Sequence, residues 1–401
     1  MKLSEELIWR GFKAQTTVAN ITDLDKKSRR FYLGVDPSQE SMTIGNLAAL
    51  MMCKVFIKHG YESTLLVGGA TGRIGDPKMD KERTKQTPEQ IDQNAKGIHT
   101  QYMQIMGQDI PLVNNYDWFK NIKYIDFLDE VGTQFSMTQL LDREFVKARI
   151  GVDGSGISYA EFSYSLIQGY DFLHLFRTKG IDLQLCGADQ FGNCVSGMHL
   201  IKRLESTEVD VWSCPLILDS NGNKFGKSEG NAIWLSEAKT SAYNFYQFWL
   251  NVDDEGVESY LKVYTELDEA QIEQLLKQQQ ANPGARIAQK ALAYEVTKIV
   301  HGQPKADSVV NITTVLFGDQ AIDKLSATEL DLLAREIPTV ASGLTVVEIL
   351  LEAGLVSSNG EARRLLESGA ISVNGAKVHD NIEIKNVSLV KKGKNSFVLV
   401  K

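Results

Sequence analysis

The chain lacks any apolar run near the ~18 to 20 residues that a bilayer-spanning helix needs. Its first residues, Met1-Lys2-Leu3-Ser4-Glu5-Glu6, carry acids where a secretory signal would be apolar. We therefore expect no membrane span and a cytoplasmic location. Cysteine is scarce: Cys53, Cys186, Cys194 and Cys214 show no CxxC spacing and lie in apolar stretches, the usage of reduced core thiols, so neither disulfides nor a zinc site is expected. Positive charge is not in excess, with 43 Lys and Arg against 51 Asp and Glu and a formal net charge of −8. A nucleic-acid partner would then have to be met by a local patch, not a global field. Internal repeats and low-complexity tracts are missing too. What is present is 401 residues, 43% of them hydrophobic, enough for two or three domains with real cores.

Arg30 to Val35 reads as a buried strand, followed by the turn Asp36-Pro37-Ser38 and a helix from Ser41 to His59 whose Ile44, Leu47, Ala48, Met51 and Val55 recur at helical spacing. Ser63 to Val67 is a second strand that runs into the glycine loop Gly68 to Gly72. Strand, loop, helix, strand is the βαβ grammar of a parallel sheet. Asp182 to Cys186 and Val211 to Leu218 read as further strands, with an amphipathic helix between them near Val195 to Leu204. After about Leu235 helical periodicity takes over, notably from Arg286 to His301. The stretch 321–343 reads as irregular. From Val346 a compact pattern follows, with helices at Val346 to Leu351 and Ser358 to Leu366 and strands at Ile371 to Gly375 and Ser396 to Lys401. We therefore expect domains at 1–235, 236–320 and 344–401, with a linker at 321–343. The segment from Thr345 to Lys401 holds eight Lys or Arg and six Asp or Glu, a local positive balance in an acidic chain.

Three polar loops, Asp36-Pro37-Ser38, Gly68 to Asp76 and Gly187-Ala188-Asp189-Gln190, each follow a strand. In an open parallel sheet such loops converge where the strand order reverses, so they predict a cleft. On the helix from Ser158 to Leu173, Tyr164, Gln168 and Asp171 stand at i, i+4 and i+7 and share one face. Because Phe162, Leu166, Ile167, Phe172 and Leu173 make most of that helix apolar, the polar stripe needs partners, and a polar ligand would supply them. Lys224-Phe225-Gly226-Lys227-Ser228 puts two cations around a glycine, a loop suited to a polyphosphate. The GGATGRIG loop fits neither the dinucleotide fingerprint nor the Walker loop.

Together these segments resemble the class I aminoacyl-tRNA synthetases, and most closely the bacterial tyrosyl-tRNA synthetases. FYLGVDPSQESMTIGNL is similar to the first signature of that family, GGATGRIGDP to its second-strand loop, EFSYSLIQGYDF to its tyrosine-binding helix, CGADQFGN to its nucleotide loop and KFGKSEGNAIWL to its second signature. SNGEARRLLESGAISVNG resembles the RNA-binding S4 module. The resemblance implies an α/β fold: a Rossmann-like parallel-sheet catalytic domain, a helical domain on the anticodon side, and a small α+β S4-like domain. It implies activation of tyrosine with ATP and Mg2+, transfer to tRNA(Tyr), and a homodimer with its contact near Trp118 to Val131.

By the same resemblance, Tyr32 and Asp171 would bond the phenol hydroxyl, Asp76, Tyr164 and Gln168 the ammonium, and Gln190 would lie near the carboxylate. Gly34, Asp36, Ser38, Gly45, Gly187 and Asp189 would form the ATP side, with Lys224 and Lys227 on the phosphates and Lys81 and Arg83 in a pyrophosphate-binding loop. Arg363, Arg364, Lys391, Lys392 and Lys394 would meet tRNA phosphates. No dedicated metal cage is visible in the sequence, so Mg2+ would travel with ATP.

The first signature departs from the family pattern. Where two histidines flank Ile-Gly in relatives, this chain reads Thr43-Ile44-Gly45-Asn46, and none of its six histidines is in the motif. Thr43 and Asn46 can both donate to phosphate oxygens, which argues for retained activity. Leu33, Ala188 and Phe191 stand where relatives carry Cys, Ser and Trp. Two rivals follow: a tryptophanyl-tRNA synthetase, against which an Asp facing the side-chain tip speaks, and a degenerate relative kept only for RNA binding.

Overall fold

The computed structural model describes residues 1–75, 86–141, 144–150, 156–218, 222, 225, 232–318 and 320–401. Arg30–Val35 (β1) and Glu62–Val67 (β2) bury consecutive residues instead of alternate ones, as strands covered on both faces do. With Leu112–Asn114 (β3), Leu183–Gly187 (β4) and Asp210–Cys214 (β5) they form a wholly parallel sheet of order β3-β2-β1-β4-β5. Tyr32 lies opposite Thr64 on one side and Gln184 on the other. The order reverses between β1 and β4, so the loops leaving these two strands diverge and open a crevice. The last strand is shorter than the sequence suggests. It ends at Cys214 because Pro215 has no N–H to continue a ladder.

The helix Tyr159–Lys179 packs on the helix Phe191–Glu205. The former starts where the Ser158 hydroxyl accepts the Glu161 N–H at 3.3 Å and stops at Gly180, whose φ of 63° lies in the left-handed region. It outruns the expected end at Leu173 because Leu175 is another fully buried residue on it.

The described chain forms two compact units, residues 1–241 with 248–300, and residues 242–247 with 301–401. In the second, Thr339–Val340 (β6), Ile371–Val373 (β8), Ala376–Lys377 (β9), Ser388–Lys392 (β11) and Ser396–Val400 (β12) form a sheet of order β6-β12-β11-β8-β9, while Leu344–Thr345 (β7) pairs with Glu383–Ile384 (β10). The stretch 321–343 is not irregular, as expected, but holds the helix Ala327–Glu336 and β6. Ser326 caps that helix through a capping box with Glu329. Strand β12 explains why this segment is ordered. Val398 and Val400 face the helices Val346–Glu352 and Asn359–Glu367, while Phe397 and Leu399 pack with Ile312, Leu316 and Leu333. Alternation along one strand thus feeds two cores.

All four cysteines are buried free thiols. No helix among the described residues is long and apolar enough to cross a membrane.

Candidate active site

At the carboxyl ends of β1 and β4 lies a cleft of about 530 Å³. It is lined by Tyr32, Gly34, Asp36, Ser38, Thr43, Gly45, Asn46, Tyr164, Gln168, Asp171, Gly187, Asp189 and Gln190, thirteen of the residues named from the sequence. Asp76, Lys81, Arg83, Lys224 and Lys227 lie outside the described residues.

Asp171 is buried at the cleft floor, 2% exposed. The Asn115 amide donates to its Oδ2 at 3.1 Å and the Trp118 indole to its Oδ1 at 3.0 Å. Burial pushes its pKa well above the ordinary carboxylate range, against these two donors, and the nearby Asp36 pushes the same way. Tyr32 is 1% exposed, and its hydroxyl has no hydrogen-bond partner among the described residues. Burial raises its pKa too, well above the usual phenol value. The amide oxygens of Gln168 and Gln184 are likewise buried and without partner among the described residues. A floor that leaves such polar atoms unmatched is built for a polar guest, since the alternative is uncompensated desolvation.

A hydrogen-bond chain runs from this floor to the cleft mouth. Asn115 also donates to Thr71 Oγ1 at 3.2 Å, the Thr71 hydroxyl donates to Asp36 Oδ1 at 2.7 Å, and the Tyr164 hydroxyl donates to Asp36 Oδ2 at 2.6 Å. Both Asp36 oxygens are therefore engaged within the protein. Gly68 serves this chain, since a Cβ there would overlap Asp36 and the Thr71 hydroxyl, and beside it a Cβ on Gly69 would overlap the Asn114 amide. The glycine pair is needed for close packing.

The helix Ile44–Lys58 begins at the first signature. The Thr43 backbone N–H and hydroxyl both donate to Asn46 Oδ1, at 3.0 and 3.2 Å. The Asn46 oxygen is thereby occupied, and its Nδ2 is the end of the amide outside this pair. The end of the second signature and the residue after it are stitched to the first. Ile44 N–H donates to Ile233 O at 3.0 Å, Leu235 N–H to Met42 O at 2.9 Å, and Ser236 N–H to Ser41 Oγ at 3.1 Å.

In the C-terminal unit, Arg363, Arg364 and Lys394 are exposed. Lys391 and Lys392 are not free surface charges: their ammonium groups donate to the carbonyls of Leu316 and Leu355. Sequence reasoning missed Thr71, Asn115, Trp118 and Gln184. Asn115 follows a three-residue edge strand, and the pairing of that strand with β2 brings it against Asp171 behind the cleft wall.

Residues 24–318 match the profile of tRNA synthetases class I (W and Y), and residues 329–401 match the tyrosine–tRNA ligase SYY-like C-terminal domain. A tyrosine–tRNA ligase from Latilactobacillus sakei is 40% identical over 99% of this chain and 98% of its own length. Tyrosine–tRNA ligase 1 of Vibrio vulnificus is 42% identical over 100% and 98%. Among solved structures, a C-terminally truncated Coccidioides posadasii mitochondrial tyrosyl-tRNA synthetase aligns at 28% identity with a TM-score of 0.68, covering 78% of this chain and 92% of that one. With a matching profile over most of its length and full-length relatives of one description, the chain belongs to the tyrosine–tRNA ligase family of class I tRNA synthetases.

Proposed function

We propose that the chain is a tyrosine–tRNA ligase whose cleft carries out both steps of the reaction. The tyrosine carboxylate attacks the α-phosphorus of ATP, the bond to the β-phosphate oxygen breaks, and pyrophosphate leaves. The 2′- or 3′-hydroxyl of the terminal adenosine of tRNA(Tyr) then attacks the adenylate carbonyl, and AMP departs. Neither step needs a nucleophile from the protein, so alignment and charge stabilisation carry the rate. The observation that carries this reading is the cleft floor, where the unpartnered Tyr32 hydroxyl and buried Asp171 sit at the end of the Asn115–Thr71–Asp36–Tyr164 chain. Such a floor suits a phenol hydroxyl, which can donate to one group and accept from the other.

In this reading Tyr32 and Asp171 take the phenol, while Tyr164 and Gln168 with Asp76 take the ammonium and Gln190 faces the carboxylate. Gly34, Asp36, Ser38, Gly45, Gly187 and Asp189 border ATP. Asn46 meets the phosphates with Lys224 and Lys227, Thr43 holds Asn46, and Lys81 and Arg83 meet the departing pyrophosphate. Mg2+ enters with ATP as part of the substrate, held by phosphate oxygens and water. Arg363, Arg364 and Lys394 meet tRNA phosphates, and such contacts weaken as salt rises. A homodimer in the cytoplasm completes the reading, supported by the exposed apolar Tyr124, Ile125 and Tyr159, at 61%, 70% and 62%. Tyrosine-dependent exchange of pyrophosphate into ATP tests the reading. Exchange with tryptophan in place of tyrosine, or none with either, overturns it.

A further inference from the structure

Phe225 stands between Lys224 and Lys227 in the sequence, and only 6% of it is exposed. Its ring stacks on Tyr260 at 4.3 Å and 27°, and it meets the rings of Phe248, Trp249 and Tyr264 at 5.2, 5.4 and 6.0 Å. Its N–H donates to Ile217 O at 3.0 Å, so backbone and side chain are both fixed. Four aromatic rings around one loop residue exceed what a hairpin tip needs for solubility, and each ring pair adds to area burial.

The socket has its own support. A Cβ on Gly256 would come within 2.5 Å of the Tyr260 ring, so the ring lies flush against the backbone at the start of the helix Val257–Tyr264. Trp249 and Tyr264 close the far side, with centroids 4.8 Å apart. None of these rings lines the cleft, although Phe225 itself does.

We propose that Phe225 is a positioning residue: seated in the socket of Phe248, Trp249, Tyr260 and Tyr264, it indexes the lysine-bearing loop against the cleft. Consecutive Cα atoms are only about 3.8 Å apart, so fixing Phe225 limits where Lys224, one residue away, and Lys227, two away, can place their charges. This rests on the reading that those lysines stabilise the phosphates of ATP. Reactions governed by alignment are sensitive to such placement, and a shift of about 1 Å can cost roughly 100-fold. Phe225 is not among the residues assigned above to tyrosine, so its loss should slow the chemical step and spare tyrosine affinity.

Single-turnover adenylate formation, with the tyrosine dissociation constant measured alongside, tests it on five full-length variants. Phe225→Ala should lower the adenylation rate by about tenfold or more with the tyrosine constant unchanged, and Phe225→Leu should restore most of the rate. Gly256→Ala, remote from the cleft, should reproduce the defect in weaker form by displacing Tyr260. In a Lys227→Ala background, Phe225→Ala should cost little more, because both act through one group. If Phe225→Ala unfolds, Phe225→Leu and Gly256→Ala decide by the same rate-against-affinity split. Parental rates in the Phe225 variants, or losses that multiply in the double variant, overturn the proposal while the ligase reading stands. A parental rate in Lys227→Ala removes the lysine assignment, and the positioning role falls with it.

Discussion

Two carboxyl groups of this protein are equally hidden from solvent and behave in opposite ways. Asp171 at the cleft floor is 2% exposed and Glu6 in the N-terminal helix is 3% exposed. Burial opposes ionisation at both. Around Glu6, hydrogen bonds from His59, Arg10 and Lys58 outweigh it and bring the pKa down to about 2. Arg10 Nε and Lys58 Nζ each lie 2.9 Å from Oε1, and His59 Nε2 lies 2.8 Å from Oε2. Arg10 further donates to the carbonyls of Lys262, Thr265 and Leu267. Among the described residues Asp171 has only the neutral donors of Asn115 and Trp118, and its pKa moves up. A buried acid surrounded by cations ties elements together, whereas one with neutral donors beside an unpartnered hydroxyl is left for a ligand.

The largest effect should come from breaking the structural member of the pair. Glu6→Ala strands Arg10, 4% exposed, without its counter-charge, and removing one partner of a buried ion pair costs about 3 to 5 kcal/mol. Chemical denaturation should show this loss, while the folded fraction activates tyrosine at the parental rate. A comparable loss of activity per folded molecule would mean that the two sites are not separate.

Asp171→Ala should do the converse. Losing hydrogen bonds to a charged or strongly polar group costs about 3 kcal/mol, so tyrosine activation (kcat/KM) should fall roughly 150-fold with a smaller loss of stability than in Glu6→Ala. The ratio of tyrosine to phenylalanine activation should narrow. Kinetics with both amino acids check it, and an unchanged ratio would take Asp171 out of the side-chain pocket.

Acid sharpens the comparison, because the two shifts have opposite signs. The folded pKa of Glu6 lies below its usual 4.5, so its stabilisation is present above that value and is lost as pH falls towards about 2. On the order of 3 kcal/mol should disappear in that window, and Glu6→Gln should flatten the acid limb. Asp171 is raised above its usual 3.8, so its contribution is present below that value and is lost as pH rises through its folded pKa. Denaturation curves of the parent and both variants between pH 2 and 7 would separate the two limbs.

The smallest effect concerns the first signature. Asn46→Ala should slow adenylate formation by about 2 kcal/mol or less, since the lysines share the charge, and leave tyrosine binding unchanged. Thr43→Val should show part of this loss, because valine lacks the hydroxyl donor to the Asn46 oxygen and keeps only the backbone N–H, and Thr43→Ser should recover. Rapid-quench measurement of adenylate decides it. A Thr43→Val variant as fast as the parent would show that Asn46 needs no such hold.

Local chemistry made much of this legible. The near-continuous apolar run of Arg30 to Val35 and Ser63 to Val67 announces buried strands, and the apolar residues between Phe162 and Leu173 announce a helix. The i, i+4, i+7 stripe of Tyr164, Gln168 and Asp171 does line the cleft. Each of these signals lies within a few residues, where spacing and propensity decide. The stretch 321–343 reads as irregular because its helix is short, and nothing in the spacing of Lys391 and Lys392 shows that their ammonium groups reach the carbonyls of Leu316 and Leu355.

The sequence by itself determined which segments become strands and helices, which helix face is polar, and which family's motifs the chain carries. Only the tertiary structure decided what each buried polar group faces. The bond from Asn115 to Asp171 spans 56 residues and that from Tyr164 to Asp36 spans 128, so no spacing rule could assign them. The parallel sheet sets these pairs, because its crossover connections bring the ends of distant strands to one edge, where desolvation forces every polar atom to find a partner or await one. The same logic separates Glu6 from Asp171. Two acids of one chemical class acquire opposite properties from neighbours contributed by other parts of the chain.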